Sequence, residues 1–226
     1  MQDIYVSDVG KGFPLVLIHG FLGLSAMWNP QVSYLKKNYR IISPDLPGFG
    51  NSNKTQSKNN INEMAKIVLS SLKEKKIDNF FLLGHSMGGM IVQEMAKLAV
   101  EKIKKLICYG VGPIGNIPGR FKTIKESRDR LKKDGLKTTA YSIANTWFVE
   151  EYRSKYFYLC DNVGKSTTLE AANNALVAME NWNGIKDLKN IKASTLIFKR
   201  CPHNVHLERP DEFNKCINEF LNQKQF

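Results

Sequence analysis

Three short segments hold the residues whose types and spacing could do chemistry. The first is Gly84-His85-Ser86-Met87-Gly88-Gly89, which follows an apolar run ending at Leu83 and precedes a helical pattern. A serine on a sharp strand-to-helix turn holds its hydroxyl above a sheet, and small residues two positions either side keep strand and helix from colliding. Ser86 is therefore a candidate nucleophile for acyl transfer. The second segment, His19-Gly20-Phe21-Leu22-Gly23, follows an earlier apolar run. A tetrahedral intermediate needs two preorganised donors aimed at its developing oxyanion. The N–H of Met87, next after the nucleophile, and the N–H of Phe21 are the expected pair. The third segment, Pro44 to Ser52, is a tight loop in which Asp45 is expected to be structural, accepting hydrogen bonds from loop N–H groups or from His19.

A serine hydroxyl at its ordinary pKa is a poor nucleophile and needs a neighbouring base, commonly a histidine oriented by a carboxylate. The chain has four histidines. His19 belongs to the oxyanion turn and His85 flanks the nucleophile, which leaves His203 or His206 as the base.

The elements that must position these groups follow from apolar periodicity. Phe13 to Ile18, Tyr39 to Ser43, Asn79 to Leu83, Leu106 to Val111 and Thr195 to Phe198 read as buried strands, each ending in Gly, Pro or a polar turn. Asn62 to Lys75 and Met90 to Leu98 carry apolar residues at helical spacing. Alternation of nearly continuous apolar strands with helices implies an α/β fold: a mainly parallel sheet with helices on both faces. Residues 113 to 192 break the rhythm. Helical patterns at Lys122 to Lys133, Thr139 to Tyr152 and Thr168 to Glu180, punctuated by Gly119, Gly135 and Gly164, amount to far more than a parallel crossover requires. This segment is expected to be a helical cap over the carboxyl ends of the strands. The plainer alternative is a set of crossover helices packed on the sheet. Residues 1–112 and 193–226 would then be the two parts of the core.

Composition narrows the function classes. With 226 residues, 42% hydrophobic and 24% charged, the chain is an ordinary globular one. Its formal charge of +12 is dispersed in short groups broken by acids and apolar residues, which suits solvated helix faces better than a nucleic-acid surface. Cys108, Cys160, Cys201 and Cys216 form no C-x-x-C pair, so neither a zinc site nor a disulfide scaffold is indicated. The N-terminus lacks a signal pattern and no apolar run suits a membrane span. The expectation is a reduced, cytoplasmic protein with no cofactor, no metal, no nucleic-acid partner and no membrane partner.

Taken in order, HGFLG, DLPGFGNS and GHSMGG resemble the α/β-hydrolase family, and LERPDEFNKCINEFL is similar to its C-terminal helix. RLKKDGL, Trp147-Phe148 and TLEAANNALVAMENWN look most like the enol-lactonase branch, whose members hydrolyse 3-oxoadipate enol-lactone and similar small esters. The resemblance implies a serine hydrolase of a small carboxylic ester, lactone or thioester. It places the base five residues before the glutamate of an L-E-x-P stretch, here Leu207-Glu208-Arg209-Pro210, which selects His203. Hydrolysis of a C–C bond in a dienoate ring-cleavage product is the alternative within the fold, since elbows ending S-M-G-G occur there too. Dehalogenase chemistry, which uses an aspartate nucleophile, does not fit Ser86. On the cap, Lys122, Arg128 or Arg130 could meet a substrate carboxylate, although a solvated helix face is the preferred account of them.

One departure from the family is large. The acid should follow the strand after the cap or, less often, the strand before it. Neither Lys199-Arg200-Cys201-Pro202 nor Gly110 to Asn116 holds Asp or Glu. Where the family has an acid loop, a helix and a further strand, this chain has four residues, which span at most about 14 Å. His203 must therefore stand just beyond the last strand, and the sheet's edge is left open or covered by the terminal helix. In the serine-protease template, loss of the orienting acid lowers the rate by about 10⁴. Three readings stay open: Asp45, Asp187, Glu208 or Asp211 substitutes for the acid; the protein is a weak or inactive binding protein on the same fold; or the sequence is an incomplete version of a longer esterase.

Overall fold

The computed structural model describes residues 3–116, 123–198 and 203–223. The chain opens with β1 (Val6–Val9), β2 (Phe13–Ile18), α1 (Asn29–Leu35) and β3 (Tyr39–Pro44). It continues through α2 (Ile61–Glu74), β4 (Phe80–His85), α3 (Met87–Leu98) and β5 (Ile103–Tyr109). Three helices, α4 (Ile124–Asn145), α5 (Phe157–Ser166) and α6 (Leu169–Asn181), then separate β5 from β6 (Ser194–Phe198). A short α7 (Val205–Glu208) and α8 (Pro210–Asn222) follow. The strands lie in the order β1-β3-β2-β4-β5-β6; β1 runs antiparallel to β3 and every other pair is parallel.

Side chains alternate across each strand, so the apolar runs serve both faces at once. Val16, Ile18, Leu82 and Leu106 pack toward Val68 of α2 and Ile91 of α3. Leu15, Leu17, Leu83 and Ile107 pack toward Leu35 of α1 and Phe213 of α8. Each such side chain contributes roughly 1.5–3 kcal/mol on burial, which is why strands covered on both sides show no polar alternation. The expected α/β architecture is the observed one.

Several local expectations shift. Helix α3 starts at Met87, directly after Ser86, rather than at Met90, and β5 runs from Ile103 to Tyr109 rather than from Leu106 to Val111. Gly135 does break α4, at φ 76°. Gly164, in contrast, lies inside α5, where a Cβ would stand 2.7 Å from that of Ala140. It permits close approach of α5 to α4 and punctuates nothing. The helix expected to reach Tyr152 stops at Asn145. Gly119 and Lys122 fall outside the described residues.

The segment α4 to α6 meets the core at the carboxyl ends of the strands. A Cβ on Gly48, in the loop after β3, would lie 2.6 Å from that of Ala171, and Asn174 Nδ2 donates to Ser57 Oγ at 2.9 Å. The indole of Trp147 stacks on His203, beyond β6, with ring centroids 5.2 Å apart. Trp182 Nε1–H, just after α6, donates to Glu94 of α3 at 3.1 Å. Burial raises the Glu94 pKa, but Lys97, Asn62 and Trp182 donate to its carboxylate and the net shift is downward.

Among the described residues β6 is the end strand, pairing with β5 alone, and Ile197 is 53% exposed. Helix α8 covers a face of the sheet instead of its edge: the Phe213 ring is 4.9 Å from Phe198 and 5.1 Å from Tyr109. A buried cation anchors the far end of α8. Lys105 of β5 donates to the carbonyls of Phe220, Leu221 and Gln223 at 2.7, 3.0 and 2.6 Å. A positive charge at a helix C-terminus complements the helix dipole. Lys105→Met is expected to lower stability by about 1.5–3 kcal/mol, because charged-donor bonds to buried carbonyls are lost. Urea unfolding of the two proteins measures it. No helix among the described residues is long and apolar enough to cross a membrane.

Candidate active site

Strand β4 delivers Ser86 into a turn with φ 52° and ψ −117°, a conformation that a non-glycine residue adopts only under constraint. Two backbone bonds impose it: Ser86 N–H donates to the Tyr109 carbonyl at 2.9 Å, and the Ser86 carbonyl accepts from Gly89 N–H at 2.8 Å. The flanking glycines are required for space. A Cβ on Gly84 would lie 2.4 Å from the Gly88 carbonyl oxygen, and one on Gly88 would lie 2.2 Å from that of Ile18. Gly88→Ala is expected to cost about 1–3 kcal/mol through overpacking, and to displace Ser86 as it does so. Thermal unfolding reports the first effect and the rate of covalent labelling at Ser86 the second.

The turn after β2 lies against Ser86. A Cβ on Gly20 would stand 3.1 Å from that of Ser86. His19 pins this turn from behind: its Nδ1–H donates to the Gly20 carbonyl at 2.8 Å, and its Nε2 accepts from Leu46 N–H at 2.9 Å. That pattern requires a neutral imidazole, and burial indeed lowers the His19 pKa. Phe21 is thereby held near the start of α3, where the first-turn N–H groups of a helix, Met87 among them, have no intrahelical acceptor.

Asp45 is wholly buried and accepts from Ser25 N–H at 2.5 Å, Asn51 N–H at 2.8 Å and Asn51 Nδ2 at 3.0 Å. It organises its loop, through N–H donors rather than through His19.

The two candidate bases take different places. The His203 ring lies 4.7 Å from that of His85, the residue before Ser86, and is stacked on Trp147. His206 is fully buried beside Trp28 and Phe213, and its Nδ1 pairs with the Tyr109 hydroxyl. Burial, then the nearby His203, brings the His206 pKa down to about 3. The structure thus sets His203 at the nucleophile's neighbour and His206 in the core, so His206 is not a surface histidine.

Among the carboxylates weighed as substitutes for the acid, Asp45 is engaged as above and Asp187 pairs with Lys97 at 3.0 Å. Asp211 is exposed in the first turn of α8. Glu208 Oε1 accepts from Val149 N–H at 2.7 Å, two residues along from the Trp147 that stacks on His203. Its Oε2 is buried with no hydrogen-bond partner among the described residues. Residues 199–202, the short link to His203, lie outside the described residues. On the helical segment, Arg128 pairs with Glu180 at 2.5 Å and Arg130 with Asp134 at 3.5 Å, so both cations are already matched by acids of the same segment.

Tyr109 was not foreseen from sequence. A tyrosine closing an apolar strand has no distinguishing local signal, and its role appears only when β5, β4 and the turn after β6 are brought together. Among the described residues no group of His, Cys, Asp and Glu could hold a metal ion. Burial pushes the thiols of Cys108 and Cys160 up to about 12.

A family model described as alpha/beta hydrolase fold matches residues 14–145. The pimeloyl-[acyl-carrier protein] methyl ester esterase of Aliivibrio salmonicida is 30% identical over 194 residues, 86% of this chain and 62% of that protein. The dihydrolipoyllysine-residue acetyltransferase component of the acetoin cleaving system of Pseudomonas putida is 38% identical over 111 residues, 49% of this chain and 30% of that protein. The chain thus spans less than two thirds of the length of these relatives. Among solved structures, the enol-lactonase from Burkholderia xenovorans superposes with a TM-score of 0.84 at 18% identity, over 98% of this chain and 97% of the other. The bromoperoxidase from Bacillus anthracis gives 0.86 at 20% identity, over 97% and 95%.

Proposed function

Because the chain belongs to the alpha/beta hydrolase fold family, we propose that it is a serine hydrolase of a small carboxylic ester, lactone or thioester. Ser86 attacks the acyl carbon. His203 takes the hydroxyl proton and returns it to the leaving group, and the N–H groups of Phe21 and Met87 receive the oxyanion. The segment 113–192 acts as the cap over this site. What carries the proposal is the strained backbone of Ser86, held with the Gly20 turn on one side and the His85–His203 pair on the other. An unusual φ maintained by two backbone bonds and two obligatory glycines has a chemical rationale if the serine hydroxyl must be aimed. The names of the esterase relative and the enol-lactonase neighbour support the substrate class.

A fluorophosphonate probe tests the proposal directly. Ser86 is expected to become covalently modified, as located by peptide mass spectrometry. A folded sample that stays unlabelled would sink the hydrolase assignment and favour a binding protein on this fold.

A further inference from the structure

The main-chain carbonyl of His203 is gripped by two side chains from neighbouring strands. Tyr109, the last residue of β5, donates its hydroxyl to it at 2.7 Å. His85, the last residue of β4, donates Nε2–H at 2.9 Å. A carbonyl can only accept, so both bonds have a fixed direction. The Tyr109 hydroxyl proton is therefore directed at His203, and the contact between Tyr109 and His206 must be carried by the Nδ1–H of His206. Behind the carbonyl thus stands a relay of donors, His206 to Tyr109 to His203, each polarising the next.

We propose that Tyr109 and His85 are positioning residues that clamp the main chain of His203 and so aim its imidazole at Ser86. This rests on the assignment of His203 as the base. Its physical content is a restriction of torsions. Two donors converging on one oxygen fix the peptide plane after His203, which leaves χ1 and χ2 to place the ring. Those are confined by His85 on one side, at 4.7 Å, and by Trp147 on the other, at 5.2 Å and 29°. In the serine-protease template much of this orientation falls to a carboxylate. Here the chain leaves four residues between β6 and His203, and the clamp ties His203 itself to the nucleophile's own strand. Because His85 precedes Ser86 directly, base and nucleophile are referred to one rigid element.

The test combines exchange and kinetics. Tyr109→Phe keeps the ring, which stacks on His85 at 4.4 Å, and deletes only the donor. His85→Leu deletes the other donor, while His85→Gln restores an amide N–H. Amide hydrogen exchange in a peptide covering residues 203–209 is expected to speed up by at least about tenfold in Tyr109→Phe and His85→Leu, with α2 unchanged. In both, kcat for p-nitrophenyl acetate should fall by about 10- to 100-fold with KM within about twofold, the cost of a small misplacement of a catalytic group. His85→Gln should recover most of the rate lost in His85→Leu. Unchanged exchange would overturn the clamp. Faster exchange with unchanged kcat would overturn its positioning role and leave Ser86 as nucleophile standing. A wild-type protein that neither hydrolyses the ester nor labels would sink the hydrolase assignment, and the positioning role with it, whatever exchange reports about the anchor.

Discussion

Ser86→Ala is expected to abolish fluorophosphonate labelling and to lower ester hydrolysis by at least about 10³-fold, because the acyl-enzyme route disappears and only oxyanion stabilisation and binding remain. The fold should tolerate the change. Ser86 contributes to its turn through the backbone N–H and carbonyl, which alanine keeps, although alanine must also accept the φ of 52°. His203→Ala should lower hydrolysis by a similar factor, and the double variant by little more than either single one, since nucleophile and base act as one unit. That non-additivity separates the mechanism from its competitors. If the two substitutions multiplied, Ser86 and His203 would be acting independently and the assigned pair would be wrong. Kinetics of a small chromogenic ester, with circular dichroism of each variant, provide both readouts.

The architecture was legible because it rests on apolar runs that must be buried on both sides, and the candidate nucleophile because a small-residue signature brackets it. Gly84 and Gly88 show why: each faces a backbone carbonyl within 2.4 Å of where a Cβ would be, so the spacing records a steric constraint. The distinction between His203 and His206 was not legible from residue types. Two histidines three positions apart on a turn look alike, yet one stacks on Trp147 and the other is sealed between Trp28 and Phe213. The choice is made by α8 packing over the sheet face, a long-range event without a local trace. Gly164 was misread for a related reason. A glycine that breaks a helix and a glycine that admits a second helix are the same letter, and only the nearness of Ala140 tells them apart.

Acid should destabilise this protein through His206 before its carboxylates are titrated. His206 is neutral in the fold, with a pKa of about 3, against about 6.5 when unfolded. Burial first, then the neighbouring His203 and His206, holds His85 well below its ordinary value, and burial lowers that of His19. The sign follows from proton counting. Below pH 6.5 the unfolded chain binds protons that the folded one refuses, so stability is complete above that pH and declines as pH falls toward the folded-state values. His206 contributes a slope of about 1.4 kcal/mol per pH unit, or roughly 2 kcal/mol by pH 5, and the loss continues to about pH 3. His19 and His85 shift in the same direction and add to that loss. The decisive comparison is His206→Gln, whose amide can still donate to Tyr109. Urea unfolding between pH 7.5 and 5 should show the wild type losing about 2 kcal/mol more than the variant across that interval, even if the variant is the less stable at pH 7.5. Parallel pH profiles would mean that His206 titrates in the fold as it does in water, and would overturn the expectation drawn from its burial between Trp28, Tyr109 and Phe213.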